Sequence, residues 1–271
     1  MRDSGYAGHV YINRRLTLYV SKSAKGVTKD ALIEAAEELF DDVKCEYVWK
    51  TNTIKSCTLQ HGEKCENVSQ RRGTLGTFAK NCTGNLYALT VPHFVKEGDI
   101  VYRDTIEIGT CIWPRMDQGM SLMNEIAVVN IRKQFEENCT LIHETLSGEA
   151  QHFGLYTQNP RVYSQVFKGR QNTGFMTGRI VSSEARLPYK DGPLQAYLIE
   201  GDDQTPFIIG GDSGDVVKLV REENGELKGV SVIFGEALEL PGIERGTCIT
   251  IPLRAAVNRF EACYGTNLTF R

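Results

Sequence analysis

Residues 207–217 of this 271-residue chain read Phe-Ile-Ile-Gly-Gly-Asp-Ser-Gly-Asp-Val-Val, with a serine at position 213 among glycines and aspartates. Because glycine adopts backbone angles that other residues avoid, this string can form a tight turn that raises the Ser213 hydroxyl and directs neighbouring N–H groups into one small space. A serine nucleophile with donors for an oxyanion needs such a turn. Gly, Asp and Ser are also the ordinary residues of a β-turn, so the string alone leaves a plain surface turn open.

Short runs of β-forming residues lie on both sides of this string and are divided by Gly, Asn, Asp and Pro. Short strands at such spacing are typical of an all-β sandwich or barrel, and one closing segment has helical character. We predict strands at 73–79, 86–91, 126–131, 178–181, 196–200, 216–220, 229–234 and 248–251, followed by a helix at 254–260.

The amino-terminal part has a different texture. Residues 16–20 alternate as a strand does, an apolar stripe from Leu32 to Val43 has helical spacing, and Cys45–Trp49 is typical of a second strand. We predict a small α+β, β-α-β-like extension over residues 1–72 and a separate domain over 73–271. The apolar stripe would dock on the extension's own sheet, on the barrel or on a partner protein.

Composition and charge exclude several classes of function. Lys plus Arg number 31 against 34 Asp plus Glu, a formal net charge of −3, so no net cationic field attracts phosphate backbones. The basic spots Arg14-Arg15 and Arg71-Arg72 are only pairs, and we expect no nucleic-acid partner. No apolar run approaches the roughly 20 residues of a membrane span, and no apolar leader opens the sequence, which predicts a cytoplasmic protein without a membrane span.

Three further segments carry a resemblance to a known family. Gly73–Phe78 followed by Asn85–His93 resembles the first hairpin of chymotrypsin-like serine proteases, whose second strand ends at the catalytic histidine. Asn124–Val129 resembles the strand that carries the acid of the triad, and 166–178 is similar to the hairpin that opens the second barrel in intracellular and microbial relatives. With the serine string, these segments follow one another in the order His, acid, Ser, and the resemblance covers residues 73–271.

The resemblance implies a mainly β fold with two six-stranded Greek-key β-barrels, the small N-terminal α+β extension and a C-terminal helix. It also implies a serine endopeptidase that acts on protein or peptide substrates and needs neither a metal nor an organic cofactor. His93 would take the Ser213 proton, and the N–H groups of Gly211 and Ser213 would hold the oxyanion.

The acid of the triad has more than one candidate in the sequence. The matching position is Glu125, where most members of the family have Asp, and picornavirus-type relatives use Glu. Asp117, in a loop just before, and then Asp104 are the alternatives. If no acid reaches His93, the chain would be a catalytically inactive protease-like module that binds peptides or partner proteins.

The resemblance also suggests a substrate pocket and a state of activation. Five residues would form the pocket walls, with Glu236 as the nearest acid: Phe207, Ile233, Phe234, Gly235 and Thr247. In secreted relatives, a freed amino terminus pairs with the aspartate before the nucleophile, here Asp212. A cut after Arg71-Arg72 would leave no spare residues to reach Asp212, so we expect nearby N–H groups or a fixed basic side chain to satisfy it.

Other candidate sites rank lower. An α/β-hydrolase would need G-x-S-x-G with its histidine after the serine, whereas Asp215 stands at the last glycine and every histidine precedes Ser213. Cys57, His61 and Cys65 are spaced four apart and would form a soft-metal corner, but no fourth ligand is evident, so we predict no metal site. We interpret His143 and His152 as surface or packing residues.

Overall fold

The computed structural model describes residues 6–12, 15–20, 44–49, 55–56, 65–67, 72–103, 106–114, 126–138, 142–169, 175–189, 192–202, 205–220, 226–237 and 240–270. The described strands before residue 77 are β1 (Tyr6–Ile12), β2 (Arg15–Val20), β3 (Lys44–Trp49), β4 (Lys55–Ser56), β5 (Cys65–Asn67) and β6 (Arg72–Gly73).

One antiparallel sheet forms the first barrel, in the order β20-β7-β8-β11-β10-β9-β5-β6. Its remaining strands are β7 (Thr77–Asn81), β8 (Leu86–Thr90), β9 (Ile100–Arg103), β10 (Ile106–Trp113), β11 (Ala127–Ile131) and β20 (Leu268–Thr269). A 3₁₀ helix (Lys133–Asn138) and the hairpin of β12 (Ile142–Glu144) and β13 (Ala150–Leu155) lead to the second barrel.

The second barrel closes on itself, because its strands pair in the cycle β14-β15-β16-β19-β18-β17 and back to β14. These strands are β14 (Gln165–Lys168), β15 (Met176–Tyr189), β16 (Gly192–Gly201), β17 (Val216–Leu219), β18 (Leu227–Glu236) and β19 (Cys248–Pro252). The predicted mainly β, double-barrel fold is confirmed.

Helix α1 (Leu253–Tyr264) follows β19 and confirms the predicted C-terminal helix. Its buried residues Leu253, Ala256, Val257 and Phe260 recur at the spacing of one helical face, which packs on the core. The helix ends at Gly265, whose φ of 68° is the left-handed conformation that glycine supplies at helix ends. None of the helices in the described residues has the length and hydropathy that a membrane span requires.

The amino-terminal strands join both sheets. β2 and β3 are parallel, the arrangement expected of a β-α-β unit, and β1 connects them to β15 through His9 and Arg186. The predicted helix at Leu32–Val43 lies outside the described residues. β5 pairs with β9 of the first barrel although it precedes residue 73. The division at residues 72 and 73 therefore stays a prediction.

Two glycines bring the barrels into close contact. A Cβ on Gly76, which precedes β7, would lie 2.1 Å from the carbonyl oxygen of Gly214, beside the serine of the second barrel. A Cβ on Gly214, which has a φ of +99°, would lie 2.2 Å from the carbonyl oxygen of Thr74. Both contacts are with backbone, which cannot move aside as a flexible side chain does. The barrels can approach this closely only because neither position carries a side chain.

We expect Gly76→Ala to lower the free energy of unfolding by about 2–4 kcal/mol, because its methyl group would force the two backbones apart. Gly169→Ala is the matched control, since its Cβ would meet nothing closer than 3.7 Å. That control should change stability by less than about 1 kcal/mol. Urea unfolding of the two variants measures the difference, and equal stabilities would contradict the close contact.

Candidate active site

His93 follows β8 in a turn that the first barrel holds firmly. The Phe94 N–H donates to the Val91 carbonyl at 3.1 Å, and the Phe94 ring is buried against Gly73, where a Cβ would lie 2.4 Å from the ring. This packing explains the glycine at position 73. Both ring nitrogens of His93 are shielded from solvent. The ring meets Phe234 of β18 edge to face, with 5.1 Å between centroids.

Ser213 lies in the loop before β17, and backbone hydrogen bonds fix that loop on both sides. The Thr74 N–H of the first barrel donates to the Ser213 carbonyl at 3.0 Å, and the Gly214 N–H donates to the Ile233 carbonyl at 2.9 Å. The side chain is 0% exposed, and its Oγ donates a long 3.4 Å hydrogen bond to the Phe234 carbonyl. These hydrogen bonds hold the loop between the barrels. The Ser213 hydroxyl is therefore buried, whereas the sequence suggested that the turn raises it from the surface.

Phe234 is a residue that both candidates contact, at different atoms. His93 comes from the first barrel and touches its ring, whereas Ser213 comes from the second barrel and touches its carbonyl. Tyr189, the last residue of β15, packs on the same ring with 5.4 Å between centroids. Two residues that are 120 positions apart in the sequence are thereby brought to one place between the barrels.

Some backbone N–H groups of the serine loop are hydrogen-bonded and others are free. Those of Asp212, Gly214 and Asp215 donate to the carbonyls of Ile209, Ile233 and Asp212. Within the described part of the chain, the N–H groups of Gly211 and Ser213 donate to no acceptor. Gly211 has a φ of 104°, and its carbonyl accepts from Thr74 Oγ1 at 2.7 Å, which holds the Gly211–Asp212 peptide that lies between these two N–H groups. The two free donors therefore lie within the serine loop, on either side of Asp212.

A buried ion pair holds Asp212. Lys168 Nζ, on β14, lies 2.5 Å from Asp212 Oδ2, and the lysine side chain is 0% exposed. The same oxygen accepts the Ile209 N–H at 2.7 Å. The expectation that N–H groups or a fixed basic side chain would satisfy Asp212 is confirmed, and both are present. The sequence did not identify Lys168, although a lysine directly after the apolar Val166-Phe167 was the available signal.

Two more charged residues lie close behind this pair. Burial raises the pKa of Asp215 to about 6, although Lys168 and Lys218 act in the opposite direction. Burial likewise lowers the pKa of Lys218, which is 6% exposed and has its Nζ 5.5 Å from the centre of the Phe167 ring. Because folding raises the pKa of Asp215 from 3.8, its contribution to stability is fully present below a pH of 3.8 and is lost as the pH rises through about 6.

The predicted pocket residues are buried and lie in two groups. Phe207 and Ile233 belong to one apolar cluster of the second barrel, whereas Phe234 and its ring neighbours pack in the larger core. Gly235 is buried, and Thr247 is 2% exposed and hydrogen-bonded through Oγ1 to the Glu244 carbonyl at 2.7 Å. Ile233, Phe234 and Gly235 lie at the end of β18, Thr247 directly precedes β19, and Phe207 lies against Gly178 of β15.

Other residues singled out in the sequence have simpler outcomes. His143 stacks on Phe153 at 4.4 Å and its Nε2 lies 2.9 Å from Thr77 Oγ1, so it is a packing residue; His152 is exposed. Burial lowers the pKa of His143 to about 3. The described residues contain no group of three or more His, Cys, Asp or Glu arranged to hold a metal ion. Several candidates lie outside the described residues: Glu125, Asp117, Asp104, Cys57 and His61.

Solved structures of bacterial proteases share this architecture. Cellulomonas bogoriensis chymotrypsin has a TM-score of 0.52 at 19% identity, covering 79% of this chain and 99% of its own. Thermobifida fusca protease A has a TM-score of 0.53 at 17% sequence identity, and the match covers 77% of this chain and 97% of that protease. Nocardiopsis protease has a TM-score of 0.52 at 19% sequence identity, and the match covers 76% of this chain and 96% of that protease. No family model and no curated protein matches the chain. At such low identity the likeness concerns the fold, and the chain has the fold of the chymotrypsin-like serine proteases.

Proposed function

We propose that this protein is a serine endopeptidase that cleaves peptide bonds through an acyl-enzyme intermediate. The observation that carries the proposal is that His93 and Ser213 both contact Phe234, one at its ring and the other at its carbonyl, while the N–H groups of Gly211 and Ser213 have no acceptor among the described residues. A nucleophile, a base and two oxyanion donors are the parts that acyl transfer requires. The double-barrel fold agrees with this assignment, since its solved examples include proteases.

In the proposed reaction, Ser213 Oγ leaves the Phe234 carbonyl and attacks the carbonyl carbon of the substrate while His93 accepts the hydroxyl proton. The developing oxyanion is held by the N–H groups of Gly211 and Ser213, and their fixed orientation stabilises it more than mobile water would. His93 then gives the proton to the leaving amine, and a water molecule hydrolyses the acyl-enzyme in the reverse sense. No step needs a metal or an organic cofactor.

We expect a fluorophosphonate probe to label the protein at Ser213, because labelling depends on an activated serine. Ser213→Ala and His93→Ala should each abolish both labelling and peptide hydrolysis, and the double variant should be little worse than either single one, since triad residues act as a unit. Labelling is read by mass spectrometry, with circular dichroism to show that the variants fold. A folded chain that stays unlabelled would favour the alternative, an inactive protease-like module that binds peptides or partner proteins.

Glu125 remains our assignment for the acid that orients His93, with Asp117 as the alternative. We expect Glu125→Gln to reduce turnover far more than Asp117→Asn, because an amide can hold the imidazole in the wrong tautomer, an error that costs about 10⁴ in the triad template. Steady-state hydrolysis of one peptide by both variants provides the comparison. The opposite ranking would transfer the role to Asp117.

We propose that the pocket accepts an apolar side chain before the scissile bond. The walls assigned to Phe207, Ile233 and Thr247 are buried and bring no charge, and an unpaired substrate charge would lose its hydration there. Glu236 directly follows the wall residue Gly235 in the sequence, and its Oε1 lies 3.9 Å from the position of a Cβ on Gly246.

A peptide-library profile of the wild type and of Glu236→Gln tests this preference. We expect apolar residues to dominate both profiles. A wild-type preference for Lys or Arg that disappears in Glu236→Gln would instead place the carboxylate inside the pocket and contradict the proposal.

The uncut chain should already have an activated serine, because Lys168 occupies the role that a freed amino terminus has in secreted relatives. We expect Lys168→Met to lose labelling at Ser213, since it leaves Asp212 buried without its counter-charge, at a cost of about 3–5 kcal/mol. Lys168→Arg should label better than Lys168→Met. Lys228→Met is the matched control, because it breaks the Lys228–Glu226 pair elsewhere on the second barrel. A chain that labels only after cleavage at Arg72 would contradict this expectation.

A further inference from the structure

The chain supplies a short strand of its own to the edge of β18 beside the candidate active site. β4 pairs antiparallel with the end of β18, with Ser56 opposite Gly235 and Lys55 opposite Glu236. Gly235 directly follows Phe234, the residue that His93 and Ser213 both contact. The paired segment therefore lies one residue along β18 from Phe234.

The pairing of β18 shows which edge β4 occupies. β19 runs along one edge of β18 and pairs with Gly235 and Glu236 there. β17 lies on the other edge as far as Val232. The serine loop continues that second edge, because the Ile233 N–H donates to the Asp215 carbonyl at 2.8 Å. Since a strand has only two edges, β4 extends the edge that β17 and the serine loop form.

An edge that leads away from the proposed nucleophile is the place at which an extended peptide can be held. Main-chain hydrogen bonds to a sheet edge bind peptides without regard to most of their side chains, and they set the direction in which the peptide runs. A peptide that pairs with Gly235 is carried directly past Phe234 toward Ser213. In this structure, that position is already taken by Lys55–Ser56.

The burial of the proposed catalytic groups agrees with an occupied site. Ser213 is 0% exposed, and both ring nitrogens of His93 are shielded from solvent. A substrate carbonyl must come into contact with the serine oxygen to react. The arrangement described here is therefore closed to substrate, and opening it requires a displacement.

We propose that Lys55–Ser56 is an autoinhibitory strand, which occupies the peptide-binding edge of β18 and competes there with peptides supplied from outside. This inference rests on the proposed peptidase function for its biological meaning. Because the strand belongs to the same chain, its competition with an added peptide is intramolecular and does not depend on the protein concentration. A substrate binds productively only when β4 leaves the edge.

The test compares two double variants of the full chain with the wild type. Lys55→Pro/Ser56→Pro removes both backbone N–H groups, so β4 can no longer pair as it does with β18. Lys55→Ala/Ser56→Ala is the matched control, because it changes both side chains and keeps both N–H groups. Ser213→Ala is added to all three proteins, so that a bound peptide is not cut.

The probe is a fluorescein-labelled synthetic peptide with the sequence of residues 51–60, kept reduced and followed by fluorescence anisotropy. We expect the proline variant to bind it at least tenfold more tightly than the wild type, and the alanine variant to bind it as the wild type does. Equal affinity in the proline variant and the wild type would overturn the proposal. Equal tightening in both double variants would also overturn it, because the side chains rather than the main chain would then hold the segment.

A second measurement covers the case in which the proline variant does not fold. Directly opposed residues of antiparallel strands lie close enough for a disulfide, so Lys55→Cys/Glu236→Cys should form one in the folded chain. We expect peptide mapping to find the link, the oxidised protein to lose binding of the probe, and reduction to restore the wild-type level. Lys55→Cys alone, treated identically, controls for the other thiols. A folded double variant that forms no link would overturn the pairing.

These readouts are separate from the test of the proposed function. Probe binding and the disulfide require no hydrolysis, so they report on β4 even if Ser213 is inert. Fluorophosphonate labelling of a Lys55→Pro/Ser56→Pro chain that retains Ser213 reports on Ser213 after β4 has left the β18 edge. If that proline variant is folded but stays unlabelled while the cysteine variant forms the link, the peptidase is contradicted and the intramolecular strand is retained, and the reverse result would do the opposite.

Discussion

The contact between Thr74 and the serine loop is the constraint on which the rest of the site depends. Thr74 donates to the loop from its N–H and from its Oγ1, and its own carbonyl accepts from Thr90 Oγ1 at 2.8 Å. Glycines at 76 and 214 allow the backbones to meet at this point. Thr90 ends β8, and His93 follows three residues later. The contact of Thr74 with the serine loop therefore fixes the position of the first barrel, with His93, relative to Ser213.

The ion pair of Lys168 and Asp212 is the electrostatic counterpart of that contact. A lysine that is fully buried loses its hydration, and only a close carboxylate makes this tolerable. Asp212 is held by the lysine and by the Ile209 N–H, so the peptides on either side of it have little freedom. The same residues that neutralise the buried charge thereby fix the direction of the neighbouring N–H groups.

Local pattern predicted much of this molecule because strands, turns and the terminal helix follow from neighbouring residues. The Gly73–Phe78 and Asn85–His93 segments form a hairpin, and the serine string lies between strands as expected.

The features that the sequence does not predict depend on distant residues. Lys168 is one of them, because its burial depends on Asp212, 44 residues later. β4 is not predicted from the sequence, because Lys55–Ser56 lie in a polar stretch without alternating apolar residues. They form a strand only through their pairing with the edge of β18. The acid, the extension's boundary, its docking partner and a cytoplasmic location stay predictions.

The pairing of β20 with β7 has a consequence for the order in which the protein can form. β20 follows α1, which itself follows the last strand of the second barrel, yet it completes the sheet of the first barrel at Asn81 and Lys80. Phe270, just beyond it, is 6% exposed and packs on Phe153. A nascent chain emerging from the ribosome thus carries an unfinished first barrel until the second barrel has been synthesised. The two barrels are therefore coupled in time during biosynthesis, and an edge that would otherwise be open to other chains is protected only when translation has passed α1.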